Sequence, residues 1–339
     1  MSKKSTILAM VSITLGMVIV LFSLVSCGFN FNKLDAKDTQ TAEHEVKDAF
    51  SNIHVLEDTA DIIFLPSDSE DVKVICENEA KKLRHEVSVI GDTLEIKLVD
   101  ERKWYNHINI FSFSESKVKV YMPVKEYSNL KIESDTSDVI IPADFKFNSI
   151  DVSLSTGDTE CYADATEYIK IKASTGETDV KGVTTSALEI SVSTGDVELE
   201  NITASSISVK TSTGEIVGSS LTVNGALSTI VSSGDTELSD VTCESYSTRG
   251  STGKLELTRL VATGTISVER DTGDVTLESC DAADMLIETS TGDVRASLLS
   301  EKVFIVRTST GKISVPETLS GGRCKITTST GNITVTINN

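Results

Sequence analysis

Basic residues are scarce in this 339-residue chain, where 31 Lys and Arg stand against 51 Asp and Glu for a formal net charge of −20. That balance argues against nucleic acid or anionic lipid as a partner, because both need a basic footprint. Aromatics make up only 5%, which suits a narrow interior filled by Val, Ile and Leu. Six cysteines are present without a Cys-x-x-Cys, so neither a zinc cluster nor a redox pair is expected. Gly-x-x-x-x-Gly-Lys-Ser/Thr and Gly-x-Gly-x-x-Gly strings are missing, which removes the usual phosphate cradles. Calcium nonapeptides and the Leu-x-x-Leu-x-Leu-x-x-Asn string of leucine-rich horseshoes are missing too. The four histidines, His44, His54, His85 and His107, have no Ser or Cys nucleophile in a recognisable setting and read as ordinary surface residues. No catalytic residue, cofactor or metal site is therefore expected.

What is present is a repeat. Leu188–Glu200 places two alternating runs, Leu188/Ile190/Val192 and Val197/Leu199, on either side of a Ser-Thr-Gly-Asp corner. Each run presents apolar residues to one face and polar residues to the other. The corner recurs with its glycine at Gly157, Gly176, Gly195, Gly214, Gly234, Gly253, Gly273, Gly292, Gly311 and Gly331, always 19 or 20 residues apart. Inward positions seven and five before the glycine hold pairs such as Ile150/Val152, Ile169/Ile171 and Phe304/Val306. Positions two and four after it hold Val197/Leu199, Val275/Leu277 and Ile313/Val315. A third apolar site follows seven after, from Val183 to Leu299. A unit that cannot bury its own apolar face must stack on its neighbours. The expected fold is all-β, a single-stranded parallel β-solenoid of about 12 coils, ten regular and two degenerate, at roughly 4.8 Å per coil. An antiparallel meander with Thr-Gly hairpins is the rival; it would pair unlike sequences, whereas here like stacks on like.

The chain before the repeats divides into three parts. Lys3 and Lys4 precede an uncharged apolar run, Ile7 to Val25, long enough to reach the lower edge of a membrane span. It ends in Leu24-Val25-Ser26-Cys27, which resembles a bacterial lipobox, so residues 1–27 are either an uncleaved transmembrane anchor or a lipoprotein signal peptide lipidated at Cys27. Either tethers the chain to a membrane by its N-terminus, with the bulk of it exported. Residues 28–47 read as a polar tether. Residues 48–142 keep the repeat code at both ends, with Ala60 and Ser137 in the glycine slot, around alternating strands that read as antiparallel. A β-hairpin N-terminal cap on the solenoid is expected there, with residues 143–339 as the regular repeats.

The tandem Ser-Thr-Gly-Asp coils, Asp58-Thr59-Ala60-Asp61-Ile62, the segment Asp100-Glu101-Arg102-Lys103-Trp104 and the anchored N-terminus make the chain similar to a bacterial β-strand-repeat family of unknown function whose members are named as adhesins. A related domain occurs in surface proteins of cell-envelope stress systems. The resemblance spans residue 48 to the end. It implies the solenoid architecture and a cell-surface role, and no catalytic residues.

Three surface features invite a binding role. Asp158, Glu177, Asp196, Glu215, Asp235, Asp274 and Asp293 follow their glycines and would stack into an acidic ridge, a strip for cations or a basic partner; the plainer account is that they satisfy their own turns and keep an edge charged. The Ser and Thr ladders before the glycines could match a polysaccharide surface, but hydroxyls in such corners ordinarily bond neighbouring backbone. Arg102, Lys103, Trp104, Tyr105 and Phe111 are either a recognition patch or the cover over the open end of the stack. The function expected is a non-catalytic adhesin or interaction module, with an unknown protein or cell-wall partner and self-association allowed through open coil ends. The alternatives are a polysaccharide-acting enzyme on a β-helix, disfavoured because no repeat from Gly157 to Gly331 is long enough to carry catalytic loops, and a self-assembling scaffold.

Overall fold

The computed structural model describes residues 39–80, 83–100 and 116–338. Among the described residues no helix is long and apolar enough to cross a membrane; the expected anchor with Cys27, and the cluster Arg102, Lys103, Trp104, Tyr105 and Phe111, lie outside them. Strands from equivalent positions run parallel and in register. On one face Lys131, Asp151, Lys170, Glu189 and Ser208 lie opposite one another in succession. On the next, Thr178, Val197, Ile216 and Thr236 do the same. This is the parallel solenoid, and the meander is excluded. Its core is the inward column at every second position, for example Ile150, Ile169, Leu188 and Ile207, each 0–1% exposed. Each such side chain contributes about 2 kcal/mol by leaving water.

Two kinds of corner turn the chain. At the first, the repeat glycines have φ between 129° and 158°, and a Cβ on Gly176 would stand 2.0 Å from the carbonyl oxygen of Gly157. Backbone stacks on backbone there, so the position needs both the dihedral and the missing side chain. At the second corner, six residues on, Gly182 is followed by Asn201, Ser220, Asp240, Arg259 and Ser279, all with φ of 54–69°. These non-glycine residues hold a left-handed conformation that normally costs about 1–2 kcal/mol each, and nothing in the residue types announced it. The next coil drops this corner residue: the register slips between Leu277 and Cys280, and Leu298 pairs with Cys280. Leu298 is therefore the buried residue, and Leu299, expected inside, is 46% exposed.

Neither end follows chain order. At the N-terminal end the first coil, Asn52–Glu57 with Asp61–Ser67, has Glu126–Thr136 and Val139–Ile141 on its inner side, and Thr93–Asp100 and Lys117–Pro123 on its outer side. Antiparallel strands then close the edge, Leu83–Ile90 against Thr93–Asp100 and Val72–Ala80 against Lys117–Pro123. Beyond them Thr39–Val46 pairs with Val72–Ala80, so part of the stretch expected as a tether is an edge strand of the cap. Its polar residues Gln40, Thr41, Glu43, His44 and Glu45 suit an edge that must not recruit further strands.

At the C-terminal end the last two coils are transposed. Gly322–Thr330 pairs with Val275–Thr291 on one side and with Lys302–Thr310 on the other. The final coil is sandwiched, and the penultimate one lies outermost. Gly322 permits this, since a Cβ there would fall 1.6 Å from the carbonyl oxygen of Ala283. The inward positions of the outermost coil lack a covering layer. Phe304 and Val306 are only half-buried and Ile313 is 48% exposed, where the repeat code expected core residues.

Candidate functional site

The acidic ridge exists and its chemistry is local. Asp158 Oδ1 accepts the backbone N–H of Glu177 at 2.7 Å, and Asp196 does the same for Glu215 at 2.7 Å. Asp235 accepts from Lys254 at 2.7 Å, Asp274 from Asp293 at 2.8 Å, and Asp293 from Asn332 at 2.8 Å. Each aspartate thus ties its corner to the next coil through a backbone N–H, which Lys254 supplies as well as an acidic residue does. The bond to Asn332 holds the Asp293 carboxyl below its ordinary range. Glu215 goes the other way: burial first, then the charges of Glu237, Asp235 and Asp196, push its carboxyl up. Asp158→Ala is expected to cost about 1 kcal/mol, the worth of one such bond. Asp158→Asn, which keeps the acceptor, is expected to cost less than half of that, as read from denaturation midpoints of the two variants.

The ladder hydroxyls, such as those of Ser212 and Thr213, are exposed, and the hydroxyls that tie the corners form a separate, inward column. Inward threonines three residues before the glycines, such as Thr211 and Thr328, donate to the carbonyls of Gly195 and Gly292. The buried Cys161, Cys243, Cys280 and Cys324 are packing residues, and burial pushes the thiols of Cys161 and Cys324 up to about 12 and those of Cys243 and Cys280 up to about 11. Thiols of that kind stay neutral and unreactive. Cys76 is likewise buried and forms no disulfide.

A different surface gathers ligand-type groups. The outward side of the first coils forms a shallow groove from Leu56 to Ser193. Register places Lys131 beside Asp151 in one row, and Glu133, Ser153 and Lys172 in the next. Beside them Ser155, Ser174 and Ser193 carry the serine column of the corners along the groove edge, and Lys97 joins from the outer cap strand. The groove thus combines three lysines with exposed hydroxyls and carboxylates on a rigid parallel sheet. Periodicity alone could not reveal it, because its members come from positions that vary between repeats and from a coil added out of order.

His85 overturns the expectation of a surface histidine. It is 6% exposed, with its ring between the carboxylates of Glu57 and Glu79, which are themselves buried. His54, by contrast, sits near the surface beside Glu133 at 3.5 Å.

A comparison with curated proteins finds no match. Among solved structures, a "putative adhesin" from Bacteroides fragilis is 16% identical with a TM-score of 0.36, covering 89% of this chain and 98% of its own. A "putative adhesin" from Parabacteroides distasonis is 14% identical with a TM-score of 0.42, covering 88% and 98%. A "putative lipid binding protein" from the same species is 14% identical with a TM-score of 0.34, covering 88% and 98%. Likenesses this distant bear on no functional argument, and their names differ. A family model is more decisive: it matches residues 50–252 and 231–339, and so the chain belongs to the Toastrack DUF4097 family.

Proposed function

We propose that this protein is a non-catalytic interaction module of the bacterial cell surface, held to the membrane by residues 1–27 and exporting its solenoid. The observation that supports it best is the groove over the first coils, where lysines, carboxylates and serine hydroxyls stand in fixed rows along a stiff sheet. Such a surface contacts an extended polar ligand over several repeats at once, as stacked repeats generally do. A cell-wall polymer or an extended segment of a surface protein has that form. The similarity to domains of envelope-stress surface proteins supports a role for the contact in sensing or adhesion at the envelope.

The test is co-sedimentation of the full chain, in detergent, with purified cell-wall material. The triple variant Lys97→Glu/Lys131→Glu/Lys172→Glu is expected to bind at least about tenfold more weakly, since each reversed charge sits inside the groove. Binding equal to that of the unmodified chain would remove the groove from the function.

A second reading rests on the far end. The outermost C-terminal coil leaves Val303, Ile305, Ile313 and Leu319 exposed, with Leu319 fully so, and the strand Lys302–Thr310 pairs with Gly322–Thr330 on one side only. An uncovered apolar strand edge favours self-association. Concentration-dependent sedimentation that disappears in Ile305→Lys would support it, and a monomer at all concentrations would end it.

A further inference from the structure

We propose that Cys76, Glu79 and His85 form a zinc site in the N-terminal cap, with Glu57 as the group that orients the histidine. The three ligand atoms, a thiol sulfur, a carboxylate oxygen and a ring nitrogen, all lie within 4.8 Å of one another, and all three residues are buried. The side chains of His85 and Glu79 are 4% and 2% exposed.

The backbone is bent to make this meeting. Cys76 points inward on Val72–Ala80, and simple alternation would next bring Asn78 in. Instead Asn78 takes φ of 60°, and the pairing with Thr39–Val46 is irregular, Gln40 facing Glu79 while Ala42 faces Cys76. One extra residue in the strand re-aims Glu79 into the interior beside Cys76. Bulges with this effect recur next to functional sites.

The histidine is held as metal-ligating histidines usually are, with one nitrogen toward the ion and the other donating to a carboxylate. His85 Nε2–H donates to Glu57 Oε2 at 2.6 Å. Glu57 is itself fixed, because its Oε1 accepts the backbone N–H groups of Asp58, Thr59 and Ala60 at 3.1–3.2 Å. On the other side Nδ1 lies 2.6 Å from Glu79 Oε1, which also accepts the backbone N–H of His85 at 2.8 Å.

Bound to zinc, Cys76 would coordinate through its sulfur and His85 through Nδ1, while Glu57 keeps its hydrogen bond to Nε2. Donors at 2.0–2.3 Å from a tetrahedral ion stand roughly 3.3–3.8 Å apart, so the side chains need to move by only about 1 Å. A thiolate, an imidazole and a carboxylate together suit zinc better than calcium or magnesium, which prefer oxygen alone. The sequence hid this site because its residues follow no metal spacing, and Glu57 comes from the first coil while Cys76, Glu79 and His85 come from the cap strands. An ion here would lock cap and coil together.

The test uses the full chain in detergent, reduced, stripped with chelator, and then titrated separately with zinc and with cobalt. One equivalent of zinc is expected by metal analysis, together with a thiolate-to-cobalt charge-transfer band in the near ultraviolet. Cys76→Ala is expected to abolish the band and weaken zinc binding at least about tenfold, with its strand content checked by circular dichroism. Cys243→Ala, which removes a buried thiol of the regular coils, is expected to leave both unchanged. If Cys76→Ala does not fold, Cys76→Ser takes its place under the same criteria. Failure of the unmodified chain to retain zinc, or equal zinc and an equal band in the Cys76 variant, overturns the assignment.

Discussion

Gly195→Ala is expected to destabilise the solenoid by about 4 kcal/mol, far more than an ordinary glycine substitution. Gly195 has φ of 144°, which costs an alanine roughly 1–3 kcal/mol by itself. The added Cβ would also stand 1.9 Å from the carbonyl oxygen and 2.7 Å from the carbonyl carbon of Gly176. Those atoms belong to the backbone of the next coil and cannot swing aside without opening the stack. Gly182→Ala is the comparison that separates the two costs, because Gly182 has φ of 69° and a Cβ placed there would meet no atom within 4 Å. Only the dihedral penalty, about 1 kcal/mol, is expected there. Thermal unfolding and hydrogen exchange of the two variants decide the matter. Equal losses would mean that corner-on-corner stacking does not set the repeat.

Arg270→Met is expected to stabilise the protein by about 1–3 kcal/mol, although it deletes hydrogen bonds. Arg270 is 2% exposed inside the solenoid. Its Nη2 donates to the hydroxyls of Thr236 at 2.9 Å and Thr248 at 3.2 Å, whereas Nε and Nη1 have no hydrogen-bond partner among the described residues. Burial holds the guanidinium below its ordinary value despite the charge of Asp235. A buried cation without a bonded carboxylate costs several kcal/mol, which two hydroxyl bonds of about 1 kcal/mol each do not offset. Room for the side chain exists only because its register partner is Gly250. A Cβ on Gly250 would lie 2.0 Å from Nη1 of Arg270. Gly250→Ala is therefore expected to be destabilising alone and much milder in the Arg270→Met background, a coupling above about 1 kcal/mol in a double-mutant cycle. Additive effects, or a loss of stability in Arg270→Met, would show that the guanidinium has a compensating role in the core.

The parallel stack, its period, its inward columns and the requirement for glycine at the first corner were all legible in the sequence. One apolar code repeated every 19 or 20 residues leaves few other ways to bury itself. The cap was legible as a cap, because Ala60 and Ser137 still hold the glycine slot around alternating strands. What the residue types did not disclose follows from contacts between distant segments. The left-handed corner at Asn201, Ser220, Asp240, Arg259 and Ser279 has no common residue type, since stacking on the neighbouring coil, not local preference, imposes it. Leu298 replaces Leu299 in the core only because the preceding coil has a corner residue that this one lacks.

By itself the sequence determined that like would stack on like, because identical patterns present identical apolar faces. It did not determine the order of stacking, since parallel coils with the same code fit one another in more than one sequence. Tertiary structure decided that order, placing residues 322–337 inside residues 302–315 and the first coil inside the cap strands. It also brought Glu57, Cys76, Glu79 and His85 to one buried point. The physical reason is that such meetings depend on which open edge each end of the chain folds back to cover, and on the bulge that turns Glu79 inward, neither of which a periodic pattern encodes.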